Sequence, residues 1–557
     1  MPRSTTYRPS SRCARRYLSS ISLVVWALMV PSLLADSERM EMIRHRAEEC
    51  EKRGSWLDAC RLYEELLRKD RNNAQARVCL QRCQRRLQVA VRAADPLHRQ
   101  LLNRLSLSQA LDAYDQVLVM VMAVHADRSR TDAATLFQQG LQEVRLALEE
   151  PLFRQQYLSD VPAAALETFR QRLADWTLRR PANRSEAREQ VRLAIRWAGR
   201  DGLLLRGPLA SALVLEFAAG ACAGLDEYSG FLSGSLAGRL RTVGIGVDLG
   251  IVEGRLLITR VYPRSAAAEA GLLRGDQIHR IGAELVGHLP VDMVADRLRG
   301  EPGSFVDVEI QRAGEPARRM IRLMRRAGEV ASVEARGLVL EDGTPAGYLR
   351  IHQFQDSTLH EVQEALLTLM GMGTSIKGLI LDLRGNPGGL FKSALAVAEL
   401  FLTEGVIVIS QSPHRDYNRT FRVESGGPVL LPLVVLIDGD TASSAEVLAG
   451  ALKEARAARL PTRLLGQPSN GKGSVQCIIP MDRAPLEGQA AIRLTVARLL
   501  SPTSQPYNRR GVTPHLLSDR EGDALVEEAA QQLLELIHPG TVPGLLPRPM
   551  PTMDGEM

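Results

Sequence analysis

The chain has 557 residues, 45% of them hydrophobic and 24% charged, enough for three or four domains and a sizeable buried core. Those figures exclude wholesale disorder, collagen and a polytopic membrane protein, and 4% aromatic residues argues against a surface built to stack sugars or bases. The formal charge of +6 is local: Arg3, Arg8, Arg12, Arg15 and Arg16, with no acidic residue in 1–35, leave the other 522 residues near +1 and remove the charge argument for a nucleic-acid partner. Of 70 basic residues only Lys52, Lys69, Lys377, Lys392, Lys453 and Lys472 are lysine, so each raises the question of why arginine does not serve there.

After the arginines, Ile21–Leu34 is apolar but broken by Ser22, Pro31 and Ser32, about the length of a signal-peptide core and short of a spanning helix. Residues 1–35 are expected to be an export signal cleaved after Ala35, or an uncleaved N-terminal anchor. No second long apolar run follows, so the remainder is expected to be exported to the periplasm or cell envelope, touching the membrane only through that segment.

Glu38–Arg53 and Ser55–Lys69 read as helices separated by Gly54, and Ala76–Val89 as a further helix after the Asp70, Asn72, Asn73 turn. Gly54, Trp56, Ala59, Tyr63 and Leu66–Leu67 resemble a tetratricopeptide unit, and one such unit cannot bury its face alone. Self-association or an adaptor role is therefore open to these helices. Cys50, Cys60, Cys79 and Cys83 match no zinc spacing and leave two readings, small packing residues or a disulfide; Cys13 falls in the signal, and Cys222 and Cys477 stand alone. The Leu/Ala/Arg-rich stretch from about 97 to 220 reads as helical and carries no chemical motif.

From Val243 to Arg325 short β-type runs alternate with glycine turns. Here "VGIGVDLG" and "LLITRVYPRSAAAEAGLLRGDQIHRIGAELV" resemble the PDZ domains of bacterial proteases. That resemblance implies a backbone nest at Gly244, Ile245, Gly246 and Val247 for a terminal carboxylate, flanked by a strand edge and a helix around Val291–Leu298. His279 and His288 read as surface or packing residues.

From Gly347 strands alternate with helices: Gly347–Ile351, Thr358–Met370, Gly378–Leu383, Leu390–Leu402, Val434–Ile437, then a helix from Ser443 to about Arg456. A serine at a helix N-terminus sits in favourable positive potential, but it needs a base. Lys472, in a Gly-Lys-Gly loop, can lose its proton if desolvated, which arginine cannot. Gln476, four residues on, can orient it. His360-Glu361-Val362-Gln363-Glu364 lacks the second histidine of a zincin, and His352, His414 and His515 lie in no triad motif. No cofactor or metal is expected.

"LDEYSGFLS", "GLILDLRGNPGGL", "VVLIDGDTASSAEVLAGAL", "LLGQPSNGKGSVQ" and "LTVARLLSPTSQPYNRRGVTPH" occur in the order of the carboxyl-terminal processing proteases, the S41 serine peptidases, which this chain resembles over roughly 225–520. The resemblance implies Ser443 as nucleophile, Lys472 as general base and Gln476 as assistant. It implies an oxyanion hole of backbone N–H groups from Ser444 and from Gly388 or Gly389, with Asp382, Arg384 and Glu446 as supporting charges. Three departures stand out: Ser444-Ala445 reverses the usual Ala-Ser order and leaves Ser444 a rival nucleophile, the serine–lysine gap is long, and His515 replaces a common Asp.

The expected architecture is multidomain, α plus α/β: 1–35 signal or anchor, 36–95 tetratricopeptide-like helices, 96–225 helical region, 226–328 PDZ domain with leading linker, 329–538 S41 α/β core with a crotonase-like sheet, 539–557 a Pro/Gly-rich tail. The expected activity is endopeptidase cleavage near the C-termini of proteins or peptides with apolar tails. The alternative is an inactive PDZ scaffold that binds exported proteins.

Overall fold

The computed structural model describes residues 39–71, 73–203, 208–235, 243–252, 255–262, 265–286, 289, 291–325, 331–371 and 375–539. The N-terminal apolar segment with Cys13, His288 and nearly all of the expected tail lie outside them. Among the described residues no helix is long and apolar enough to cross a membrane. The chain divides into two units, 1–91 and 92–557.

In the first unit, the helices at 39–52 and Trp56–Lys69 and most of Ala74–Ala94 close on a small core of Ile43, Ala47, Ala59, Tyr63, Leu66 and Leu80. Cys60, Cys79 and Cys83 are buried in it, and all four cysteines of the cluster are free thiols. Burial pushes the Cys60 thiol up to about 12, so it packs as a small apolar group at neutral pH. Glu51 bridges the helices by accepting from Tyr63 Oη at 2.6 Å and from Arg82.

The second unit starts with the end of that third helix and continues through helices to Leu209–Ala223, whose every turn is buried. Ala133–Glu149 and Leu107–Val124 pack around it, and Phe137 stacks on Phe217 at 5.7 Å. A buried ion cluster pins this bundle: Arg92 donates to both oxygens of Glu216 (3.0 and 2.6 Å) and to Glu143 at 3.0 Å. Strand β1 (Gly230–Ser233) follows.

The middle module is a small antiparallel sheet in the order β2-β3-β4-β6-β7, from strands β2 Val247–Val252, β3 Arg255–Val261, β4 Gln277–Ile281, β6 Phe305–Gln311 and β7 Arg319–Met324, with the short β5 Glu284–Leu285 beside β4. The helix Val291–Leu298 packs along β2 over a core that includes Ile245, Ile258, Val294 and Val308.

Two sheets make up the remainder. One has the order β17-β14-β13-β10-β9-β8, from β8 Val333–Val339, β9 Pro345–Ile351, β10 Leu379–Asp382, β13 Leu433–Ile437, β14 Thr462–Gly466 and β17 Leu516–Leu517. All its pairings are parallel except β8–β9. Its central strands β10 and β13 are buried on both faces because helices cover both. Ile380, Val434 and Leu436 meet the helix Gly522–Ile537; Leu381, Val435 and Ile437 face the helices Thr358–Gly371, Phe391–Phe401 and Ser444–Ala451. The second sheet joins β1, β11 Val406–Gln411, β12 Arg419–Arg422, β15 Ser474–Pro480 and the long β16 Ala490–Leu500. Sequence reading places β9, β10 and β13 to within two residues, names β14 and β16 only inside motifs, and leaves β17 unassigned.

The ion cluster makes a stability prediction. Arg92→Ala would leave Glu216 buried without the cation that bonds both its oxygens and should cost about 3–5 kcal/mol, read as a lower chemical-denaturation midpoint.

Candidate active site

Three loops leave the C-terminal ends of the neighbouring strands β10, β13 and β14, where parallel sheets gather ligand sites. The loop after β10 carries Gly385–Gly389, the turn after β13 carries Ser443, and the loop after β14 carries Lys472. Adjacent parallel strands thus bring residues 29 to 87 positions apart in the sequence to one rim.

The turn after β13 is tied down by Asp438, whose Oδ1 accepts from the N–H groups of Gly385, Asp440 and Thr441. Ser443 caps the helix Ser444–Ala451 with φ 56° and ψ −118°, a positive φ that a side chain adopts only under constraint. Glu446 bonds to this turn from inside. Its Oε2 accepts from Ser443 N–H at 2.8 Å, while Oε1 accepts from Ser469 Oγ and Gly471 N–H, both at 2.6 Å. Glu446 is fully buried, and that burial raises its pKa against the opposing effect of these donors. One carboxylate therefore fastens the serine turn to the lysine loop. Asn470 N–H adds a bond to Thr441 O at 2.8 Å.

Glycine on either side of the lysine has a packing cause. A Cβ on Gly473 would stand 2.1 Å from Asn508 N, so the loop lies flat against the 507–509 backbone. The Lys472 side chain is half-buried; desolvation, then Arg493, lower its pKa below the ordinary 10.5, and Glu446 opposes them. Its Nζ lies 5.2 Å from the centre of the Tyr228 ring, and no hydrogen bond joins it to Ser443 Oγ. Gln476 Nε2 donates to Ser474 Oγ at 2.8 Å and Thr495 Oγ1 at 3.4 Å.

Gly388 N–H is committed to Asn386 Oδ1 at 2.8 Å, whereas among the described residues neither Gly389 N–H nor Ser444 N–H has an acceptor. Gly389 has no room for a side chain, since a Cβ would meet Phe354 O at 2.1 Å. Ser444 is 2% exposed and its hydroxyl donates to Gly389 O at 3.0 Å. Asp382 and Arg384 pair with each other at 2.6 Å and hold Tyr348 Oη and Gly522 O, tying the end of β10 to the last helix. Burial pushes the Asp382 carboxyl up, but the Arg384 bonds outweigh it and the pKa falls.

Sequence reading misses the layer behind the lysine. Asp226 accepts from Tyr228 N–H, Ser229 N–H and buried His125 Nε2, and Arg493 Nε donates to Tyr228 O at 2.6 Å. His125 belongs to the helical stretch that reads as free of motifs. His515 exchanges bonds with the Leu464 backbone on β14, and Glu361 accepts from Ser332 N–H, both structural roles. The long serine–lysine gap holds a π-helical turn, Leu452–Arg456, whose buried Arg456 donates to the carbonyls of Phe401, Val429 and Leu431.

Glu446→Gln keeps the size but sets an amide N–H₂ against donors. It should lower kcat about 10- to 100-fold through misplacement of the serine and lysine loops, with the circular-dichroism spectrum unchanged.

Residues 345–518 match the family described as Peptidase family S41. The chain is 31% identical over 307 residues to a carboxy-terminal-processing protease of Bartonella bacilliformis, covering 53% of this chain and 67% of that one. It is 32% identical over 319 residues to a carboxyl-terminal-processing protease of Synechocystis sp., covering 57% and 69%. A solved photosystem II D1 C-terminal processing protease is 23% identical and covers 76% of this chain and 99% of its own, with a TM-score of 0.43. At that identity and coverage of its relatives, the chain belongs to peptidase family S41, the carboxyl-terminal processing serine peptidases.

Proposed function

We propose that the protein is an exported endopeptidase that cuts protein or peptide chains near their C-termini through a Ser443–Lys472 dyad. The observation that carries the reading is the Glu446 bridge, which binds the turn of the one residue and the loop of the other to a single carboxylate. Ser443 Oγ attacks the scissile carbonyl carbon, and neutral Lys472 Nζ takes the hydroxyl proton. The carbonyl oxygen gains negative charge and is met by Ser444 N–H and Gly389 N–H, with Gly388 shaping the loop rather than donating. As the tetrahedral intermediate collapses, the lysine ammonium gives its proton to the leaving amine. Water then attacks the acyl-enzyme with Lys472 again as base.

Gln476 supports the lysine. Its amide nitrogen is engaged by Ser474 and Thr495, which leaves Oε1 to accept from the ammonium when the lysine turns toward Ser443. Ser443 is favoured over Ser444 because it is the partly exposed one of the pair, and the Ser444 hydroxyl is already bonded to Gly389 O.

The middle module serves as the PDZ domain. Ile245 is buried while Gly246, at φ 83°, turns the chain into β2, whose groove against the helix Val291–Leu298 suits an extended apolar tail. Export rests on the arginine-led apolar segment at the N-terminus.

Ser443→Ala and Lys472→Ala should each abolish cleavage of a peptide with an apolar C-terminus, while Ser444→Ala keeps most of the activity; full activity in Ser443→Ala protein overturns the assignment. Because the base must be neutral, kcat/KM should rise with pH along a limb whose midpoint lies below the ordinary lysine value of 10.5, in keeping with burial. Tail peptides should bind about tenfold or more weakly when the C-terminal carboxylate is replaced by an amide, measured by fluorescence anisotropy on Ser443→Ala protein, each 1.4 kcal/mol lost being one factor of ten.

A further inference from the structure

The loop that precedes β1 has no part in the chemistry above, yet it meets the lysine. Lys472 Nζ lies 5.2 Å from the centre of the Tyr228 ring, inside the range at which an ammonium is attracted to an aromatic face. The ring is held in place. Asp226 Oδ1 accepts from Tyr228 N–H at 2.8 Å and from Ser229 N–H at 2.7 Å, and Oδ2 accepts from Ser229 Oγ at 3.0 Å. Behind Asp226 stands His125, 2% exposed, with Nε2 at 2.9 Å from Asp226 Oδ2. His125 Nδ1 stands 3.1 Å from Asp127 N and 3.2 Å from Asp127 O, so the ring is fixed between Asp127 and Asp226. On the other side, Arg493 of β16 donates to Tyr228 O at 2.6 Å.

We propose that Tyr228 is a positioning residue for the general base: its ring holds the protonated Lys472 side chain in a resting place apart from Ser443 and thereby sets the pH at which the neutral amine becomes available. This rests on Lys472 being the base. The charged groups that face Lys472 are Arg493, from β16, and Glu446, from the helix after Ser443, with Asp226 one layer behind acting on Arg493. Burial and then Arg493 favour the neutral amine and Glu446 the cation; the ring adds to the cation's side. Removing it therefore lowers the lysine pKa and moves the active limb to lower pH.

The test uses full-length protein labelled with ¹³Cε-lysine. With only six lysines in the chain, the Lys472 resonance is identified by its loss in Lys472→Arg. In Ser443→Ala protein its midpoint should fall by about half a pH unit in Tyr228→Leu, equivalent to about threefold more neutral lysine at a fixed pH below the midpoint. Tyr228→Phe should leave it in place. In the Ser443 parent, the limb of kcat/KM should shift in step. Should Tyr228→Leu fail to fold, trifluorophenylalanine at position 228 weakens the ring's negative face at nearly constant shape and should shift the midpoint in the same direction. A midpoint unchanged by these ring variants overturns the proposal, as does a drop in activity at every pH with no movement of the limb, which marks a purely structural tyrosine. Cleavage that survives Lys472→Ala instead overturns the dyad itself.

Discussion

The Glu446 carboxylate is the constraint on which the site depends. It is wholly buried, and it accepts from the backbone of Ser443, the hydroxyl of Ser469 and the backbone of Gly471. A carboxylate in apolar surroundings is costly unless each lone pair finds a donor, so the fold must present those donors together. Doing so holds Ser443 by its N–H, at a positive φ, and draws the lysine loop against the serine turn. The serine turn and the lysine loop thus meet on one buried carboxylate.

The parallel sheet makes that arrangement possible. Neighbouring strands β10, β13 and β14 end on one rim, so the glycine loop, the serine turn and the lysine loop need no long excursions. Their connections are fixed by backbone bonds: Ala442 N–H to Asn386 O joins the first two, and Asn470 N–H to Thr441 O the last two. The second sheet completes the surround. β16 carries Thr495 beside Gln476 and Arg493 beside Tyr228, and the loop at His125–Asp127 docks on it through Ala126 N–H to Thr495 O and the Arg498–Asp127 ion pair. The helical bundle is thereby part of the setting of the lysine.

What could be read in the sequence follows from range. The apolar runs that became β9, β10 and β13, the helix after Ser443 and the Gly-Lys-Gly loop are local patterns, and each was legible at its position. The scarcity of lysine pointed to Lys472 without any structure. Contacts across long separations were not legible: His125 meets Asp226 across 101 positions and Arg493 meets Tyr228 across 265. A lone histidine in a Leu/Ala/Arg-rich helical stretch has no local signature, so that region read as chemically silent. Which of Gly388 and Gly389 keeps its backbone N–H unengaged was not legible, because the Asn386 side chain that occupies Gly388 N–H is a matter of rotamer. The fit of Ser444 against Gly389 O likewise emerges only when the two loops meet.

The central claim is that the Glu446-bonded turn makes Ser443 the nucleophile. Labelling the purified protein with a fluorophosphonate and mapping the adduct by mass spectrometry tests it most directly. The account predicts a single adduct on Ser443, lost in Lys472→Ala and much slowed in Glu446→Gln. An adduct on Ser444, or none on protein that still binds tail peptides, would contradict it.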